Sequence, residues 1–175
     1  DELRKRRLRA VVALLAASTG LLPFHDEGQE IVIGPYRILW KQTFREFPDY
    51  WTANTAFGSP VRVTDANPQI SEYAWSAGKV LIDYTNSKGQ RLQGTLTLPA
   101  NYEPGRRYPM LVYFYEIMSN THHRFSMPVY DDRPHISTYA SDGYLVFQPD
   151  VVYQIGRPGT SAVDCVTSAV KKVIE

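Results

Sequence analysis

No serine of this chain stands in the Gly-x-Ser-x-Gly pattern of a nucleophile at a strand-to-helix turn. A serine nucleophile at a sharp strand-to-helix turn needs the pattern Gly-x-Ser-x-Gly. The nearest match, residues 159–163, lacks the second glycine. Ser161 instead stands at a predicted helix start, with Asp164 three positions later, in the manner of a capping box. We therefore interpret Ser161 as a helix cap.

One group of polar side chains could be drawn as a metal site: His122, His123, Asp131, Asp132 and His135. No ligand spacing on a regular element supports a metal there, so we interpret the group as part of a solvated loop. The single cysteine, Cys165, excludes a cysteine-based zinc site and is predicted to be a small core residue. Residues 156–159 lack the lysine and hydroxyl residue of a P-loop, and no cofactor is expected.

The composition of the 175 residues is that of a globular chain rich in strands and turns. Hydrophobic residues make up 43% and charged residues 21%, which is enough apolar surface to bury a core. Twelve tyrosines, 12 prolines and 11 glycines favour strands and turns over a helical bundle. The net charge of +1 argues against a nucleic-acid-binding protein. No apolar stretch reaches the ~18 residues of a membrane span.

Basic residues crowd the start of the chain at positions 4–9 and are followed by an apolar run at 10–17. This layout is that of a secretory signal, which would place the protein in the periplasm or outside the cell. It also fits an ordinary helix with a basic end, because the chain opens with Asp1 and shows no small-x-small cleavage site before Pro23. Both interpretations stay open, and the cytoplasm stays open with them.

Two blocks with different patterns follow this start. Over residues 30–70, short apolar runs are broken by turn residues about every ten positions, which predicts antiparallel strands. Residues 65–68 are predicted to form a turn and a domain boundary. In the second block, residues 79–85 and 92–98 are predicted to pair as a hairpin, with the leucines on its one buried face.

The remainder of the second block predicts strands alternating with helices. The elements are a buried strand at 110–115, a helix at 135–141, a buried strand at 144–148 and a helix from Ser161 to the end. A parallel sheet needs a returning strand after such a helix. We therefore expect the chain to be cut inside a domain.

Six stretches of the chain, in this order and spacing, resemble the prolyl oligopeptidase family of serine peptidases, particularly its dipeptidyl-peptidase-like bacterial members. They are residues 43–51 (TFREFPDYW), 63–69 (VTDANPQ), 89–99 (GQRLQGTLTLP), 108–116 (YPMLVYFYE), 139–150 (YASDGYLVFQPD) and 156–159 (GRPG). The resemblance covers about three quarters of the chain and does not include residues 1–22.

This resemblance implies an α/β fold in two parts, because the family pairs a β-propeller with an α/β-hydrolase domain. Residues 30–70 would be the last strands of the propeller. Residues 71–175 would be the N-terminal half of the hydrolase sheet, truncated before the nucleophile. Residues 1–29 stay unassigned.

The resemblance also implies serine-type cleavage of peptide substrates, without a cofactor, by a full-length parent that could form homo-oligomers. In the family, the nucleophile, the Asp and the His follow the helix that here ends at Glu175. All four histidines precede that point, so by chain order none is the catalytic histidine. The chain alone is therefore expected to be inactive.

One catalytic group is implied within the chain. In dipeptidyl-peptidase-like members, a tyrosine hydroxyl at the end of the third hydrolase strand donates to the oxyanion of the tetrahedral intermediate, and the matching position is Tyr115. The alternative is that Tyr115 is one more packing aromatic, like Tyr113 two positions before it. Glu116 departs from the small residue that many members carry after this tyrosine.

Two other functions compete with a peptidase. The chain could be a non-enzymatic binding module on a peptidase-like scaffold, and a cooperatively melting monomer would favour this, because a cut sheet has an aggregation-prone edge. It could also belong to an esterase that acts on an ester or a small acyl group. The propeller-like residues 30–70 argue against this, because free esterases lack a propeller.

Overall fold

The chain divides between Ile70 and Ser71 into two units, each built on a sheet of its own. This architecture comes from a computed structural model that describes residues 31–33, 35–127 and 133–175. The basic and apolar start, together with Asp131 and Asp132, lies outside the described residues. No helix among the described residues is long and apolar enough to cross a membrane.

The first unit contains a four-stranded antiparallel sheet in the order β1-β2-β3-β4. Its strands are β1 (Ile31–Ile33), β2 (Tyr36–Lys41), β3 (Asp49–Asn54) and β4 (Val61–Arg62). Each strand pairs with the next along the chain, and Ile38 of β2 lies opposite Thr52 of β3. The antiparallel strands predicted from the sequence are thus confirmed.

A buried carboxylate ties this sheet to the segment that follows it. The Asp49 side chain is 2% exposed and forms an ion pair with the Arg62 guanidinium, whose Nε donates to it at 2.9 Å. It also accepts hydrogen bonds from Thr64 Oγ1 at 2.6 Å and from the Ala66 amide at 3.0 Å. The ion pair and hydrogen bonds to Asp49 raise the pKa of Arg62. These bonds satisfy a charge that would otherwise be costly to bury.

The second unit contains a mixed sheet in the order β5-β6-β8-β7. Its strands are β5 (Gly78–Thr85), β6 (Arg91–Leu98), β7 (Met110–Val112) and β8 (Leu145–Pro149). β5, β6 and β8 pair antiparallel, whereas β7 and β8 are parallel. The helices are α1 (Ile136–Ser141) and α2 (Pro158–Ile174), with short 3-10 helices at Pro68–Glu72 and Ser119–Thr121. This combination confirms the α/β class.

The core of the second unit lies between one face of this sheet and α2. Tyr84, Leu96 and Phe147 from three adjacent strands form a buried cluster with Ala169 of α2. The helix buries small residues at four-residue spacing, namely Ser161, Cys165 and Ala169, so it approaches the strands closely. The prediction that Cys165 is a small core residue is confirmed, since it is 1% exposed.

The capping box predicted at Ser161 is wrong. The helix begins one turn earlier, at Pro158, whose fixed φ suits the first helical position. Ser161 therefore lies inside the helix, where its hydroxyl donates to the Arg157 carbonyl at 2.8 Å and accepts the Gln154 amide at 3.0 Å. The hydroxyl thus joins the loop before the helix to its first turn.

The hairpin was predicted to bury one face, and this is wrong because both faces of β6 are covered. Thr95 and Thr97, on the face opposite the leucines, are each 2% exposed. The segment 119–127, predicted to be a solvated loop, packs on this side and buries Phe125 to 6% exposure. Alternation of threonine and leucine cannot distinguish a solvated face from one covered by a distant segment.

The other elements agree with the sequence, apart from their bounds. The hairpin strands and the strand predicted at 144–148 are present as β5, β6 and β8, and the helix predicted at 135–141 is present as α1. Gly143 follows α1 with a φ of 89°, the left-handed conformation that ends helices. The strand predicted at 110–115 ends earlier, at Val112, because the chain then leaves the sheet as a loop.

Candidate active-site edge

The carboxyl ends of β7 and β8 lie side by side because the two strands are parallel. Val112 pairs with Phe147, and the Tyr113 amide continues the ladder by donating to the Phe147 carbonyl at 3.0 Å. Beyond this point the chain forms two loops, residues 113–119 after β7 and residues 150–157 after β8. We refer to the carboxyl ends of β7 and β8 as the active-site edge. In open α/β sheets, ligands bind beyond the carboxyl ends of the strands.

Tyr115 stands at this edge with its side chain directed away from the core. The residue is 69% exposed. Its backbone is held, since the Tyr153 hydroxyl donates to the Tyr115 carbonyl at 2.6 Å. The next residue is held in the same way, because the Val151 amide donates to the Glu116 carbonyl at 2.8 Å. The Tyr115 backbone is thus held by hydrogen bonds, while its phenol is accessible to solvent.

A buried carboxylate connects the two loops. Asp150 is 4% exposed and directly follows β8. Its Oδ1 accepts the Met118 and Ser119 amides, each at 2.7 Å, and its Oδ2 accepts the Ser119 hydroxyl at 2.7 Å. Asp150 is not among the site residues predicted from the sequence. Its sequence signal is an acidic residue directly after a buried strand, where a buried charge needs dedicated donors.

The backbone of Asp150 is itself anchored in the sheet. Its amide donates to the Gln93 carbonyl at 2.8 Å, and its carbonyl accepts the Tyr84 hydroxyl. Burial raises the pKa of Tyr84, so its phenol stays protonated and remains a donor. Strands β5 and β6, Asp150 and the loop after β7 are therefore joined by direct hydrogen bonds.

A second group of titratable side chains lies where the segment 119–127 meets the threonine face of β6, and it includes Lys79 of β5. Lys79 Nζ donates to the Arg124 carbonyl at 3.1 Å and to Ser126 Oγ at 3.4 Å, and burial lowers the pKa of Lys79 to about 8. His122 Nδ1 lies 3.2 Å from Thr95 Oγ1. Burial lowers the pKa of His122, and so do the neighbouring His123 and Lys79.

The residues considered as metal ligands do not form a site in the described part of the chain. His122 and His123 pack edge to face, with ring centroids 4.8 Å apart. Over residues 31–33, 35–127 and 133–175, no three His, Cys, Asp or Glu side chains come together in a way that could hold a metal ion. Ser161, 2% exposed, makes both its hydrogen bonds to backbone atoms and is not placed as a nucleophile.

Solved structures are similar to this chain in fold, although its sequence matches no stored description of a family. The sequence matches no protein-family model and no curated protein. Among solved structures, dipeptidyl peptidase 4 of Porphyromonas gingivalis is similar with a TM-score of 0.58 and 18% identity, over 83% of this chain and 22% of that chain. The acylaminoacyl peptidase of Pyrococcus horikoshii gives 0.59 and 14%, over 86% of this chain and 25% of that one.

A puromycin-hydrolyzing peptidase of Mycobacterium tuberculosis is similar with a TM-score of 0.59 and 12% identity, over 88% of this chain and 25% of that chain. The chain thus spans about a quarter or less of the length of these three proteins. The chain shares its fold with part of each of these peptidases, and the resemblance to the prolyl oligopeptidase family seen in its sequence is confirmed at the level of the fold.

Proposed function

We propose that this chain is part of a prolyl oligopeptidase-family serine peptidase that cleaves peptide bonds through an acyl-enzyme. The similarity of fold to several solved peptidases, over more than four fifths of the chain, carries this proposal. The order of elements supports it, since an antiparallel hairpin leads into a parallel strand pair connected through a helix. Peptide is the proposed substrate, and no cofactor takes part.

The two units correspond to two parts of such an enzyme in this proposal. A four-stranded antiparallel sheet in which each strand pairs with the next is the construction of a propeller blade, which supports residues 30–70 as the end of a β-propeller. Residues 71–175 would form the first part of the α/β-hydrolase domain.

The role proposed for Tyr115 is stabilisation of the oxyanion. When a serine attacks the peptide carbonyl, negative charge develops on the carbonyl oxygen, and a donor aimed at that oxygen lowers the barrier by a few kcal/mol. Tyr115 is an exposed phenol on an anchored backbone at the carboxyl end of β7. Because the phenol is directed away from the core, its hydroxyl would donate a hydrogen bond to the oxyanion.

The nucleophile, the Asp and the His are proposed to lie outside these 175 residues, because the sequence contains no Gly-x-Ser-x-Gly motif. We therefore expect a fluorophosphonate probe to leave the 175-residue chain unlabelled and to label one serine in the longer polypeptide that contains it. Stoichiometric labelling of the 175-residue chain would refute the proposal. A longer polypeptide that binds peptide but is never labelled would support the binding module instead.

The role of Tyr115 is tested by removing its hydroxyl in the longer polypeptide. Tyr115→Phe should lower kcat by about 10²- to 10³-fold with little change in KM, as expected for a donor that acts in the transition state. Tyr113→Phe is the matched control, two residues earlier in the same segment, and should leave kcat nearly unchanged. Equal effects of the two substitutions would refute the oxyanion role of Tyr115.

A further inference from the structure

The loop after β8 holds the loop after β7 by a continuous series of hydrogen bonds. Tyr153 binds the carbonyl of Tyr115, Val151 binds the carbonyl of Glu116, and Asp150 binds the amides of Met118 and Ser119. Four of the five residues from 115 to 119 are therefore held at backbone atoms. We propose that Tyr153 and Asp150 are positioning residues for the oxyanion donor, an inference that rests on the function proposed above.

The contacts are arranged so that the Tyr115 backbone has little freedom. The Tyr153 hydroxyl contacts Tyr115 itself, and Asp150 accepts three hydrogen bonds three and four residues further along. A short chain fixed at both ends cannot change its backbone torsions independently. The position of the Tyr115 Cα is thus set by the loop after β8 and not by contacts of its own side chain, which is 69% exposed.

This series of contacts ends in the central strands of the second unit. The Asp150 amide and carbonyl bind Gln93 of β6 and Tyr84 of β5, so the anchor reaches across three strands of the sheet. Charge stabilisation in a transition state requires donors that are already in place before the charge appears. A phenol on a free loop would lose much of that advantage, because a displacement of about 1 Å can cost up to ~10²-fold in rate.

Tyr153→Phe is the most selective perturbation, because it removes one hydroxyl and keeps the ring, and the residue is 37% exposed. Tyr108→Phe is the matched control. The Tyr108 hydroxyl donates to the Asn101 carbonyl at 3.1 Å and accepts the Glu103 amide at 2.7 Å, so this change removes two tyrosine-to-backbone bonds within a loop. Asp150→Asn is a second variant: it removes the charge that strengthens the hydrogen bonds from the Met118 and Ser119 amides, and its amide nitrogen cannot accept the Ser119 hydroxyl.

The first measurement is hydrogen exchange on the longer polypeptide that contains these 175 residues. Tyr153→Phe should speed exchange of the Val151, Met118 and Ser119 amides by about five- to tenfold, the factor expected for the net loss of one hydrogen bond. Asp150→Asn should speed the Met118 and Ser119 amides. Tyr108→Phe should leave all three unchanged. Unchanged exchange in both Tyr153→Phe and Asp150→Asn would overturn the proposal.

The second measurement is a double-mutant cycle in the longer polypeptide. Tyr153→Phe should lower kcat by about 10-fold with KM nearly unchanged, and should add nothing once Tyr115 is already Phe, because it acts through that hydroxyl. Additive losses would overturn the positioning role. If Tyr115→Phe itself leaves kcat unchanged, the function proposed for Tyr115 fails, and faster exchange in Tyr153→Phe would still identify the loop contact as structural.

Discussion

Gly94 of β6 lies against Phe147 and Pro149 of β8, and its substitution tests the packing of β6 against β8. A Cβ added there would lie 2.6 Å from Cε2 and 2.8 Å from Cζ of Phe147, and 3.0 Å from the Cα of Pro149. Ordinary van der Waals contact begins at 3.4 Å. Phe147 is 0% exposed, and the other contact is backbone, so neither neighbour can move without disturbing the sheet.

The expected cost of Gly94→Ala follows from two opposing effects. Overpacking a core in this way costs up to about 3 kcal/mol. Replacing glycine by alanine also reduces the freedom of the unfolded chain, which returns about 0.5–1 kcal/mol. The net expectation is a loss of about 2 kcal/mol in the free energy of unfolding.

Urea denaturation of the longer polypeptide that contains these residues measures this loss as a lower midpoint of the transition that unfolds the second unit, with an unchanged slope. Gly159→Ala is the matched control, because nothing lies within 4 Å of its added Cβ and the residue is in α2. That variant should be as stable as the parent or up to about 1 kcal/mol more stable. Phe147→Leu should recover part of the loss in the Gly94→Ala background. A Gly94→Ala variant as stable as the parent would refute the packing described for β6 and β8.

A partly buried lysine, a buried carboxylate and a buried thiol give three further tests. Burial lowers the pKa of Lys79 to about 8 from 10.5, so the unfolded chain binds more protons between these pH values and stability should rise with pH across that window. Chemical denaturation at several pH values should show this rise in the parent, and a rise of equal size in Lys79→Met would contradict it. Asp49→Ala should destabilise the first unit by about 3 kcal/mol, whereas Asp65→Ala, which removes an exposed partner of the same arginine, should cost less than about 1 kcal/mol. Equal losses of stability in the two variants would show that burial of Asp49 does not set the cost of removing its carboxylate. Cys165, 1% exposed, should react with a thiol reagent only on unfolding, and rapid labelling of the folded chain would contradict its place on the buried face of α2.

Local patterns in the sequence predicted the elements of this fold well. Alternation of leucine with threonine over residues 92–98 identified a strand, and Gly143 marked the end of a helix, because both signals depend on nearby residues alone. The start of α2 was missed by three residues because Ser161 and Asp164 imitate a capping box, while Pro158 is the residue that begins the helix.

Contacts between distant segments could not be predicted in this way. Nothing near Thr95 in the sequence indicates that residues 119–127 cover it, so its face was expected to be solvated. Asp150 was overlooked for the same reason, since its donors come from Met118 and Ser119, more than 30 residues away. Tyr115 was identified through resemblance to a family and not through its spacing, because a tyrosine at the end of a tyrosine-rich strand carries no signal of its own.

The most direct test of the account is a crystal structure of the longer polypeptide after reaction with a fluorophosphonate. The phosphonyl group on the serine imitates the tetrahedral intermediate, and its oxygen marks the place of the oxyanion. We expect the Tyr115 hydroxyl about 2.7–3.1 Å from that oxygen, the distance of a charge-stabilising hydrogen bond. An adduct whose oxygen is bound by other donors, with the Tyr115 hydroxyl in solvent, would contradict the account.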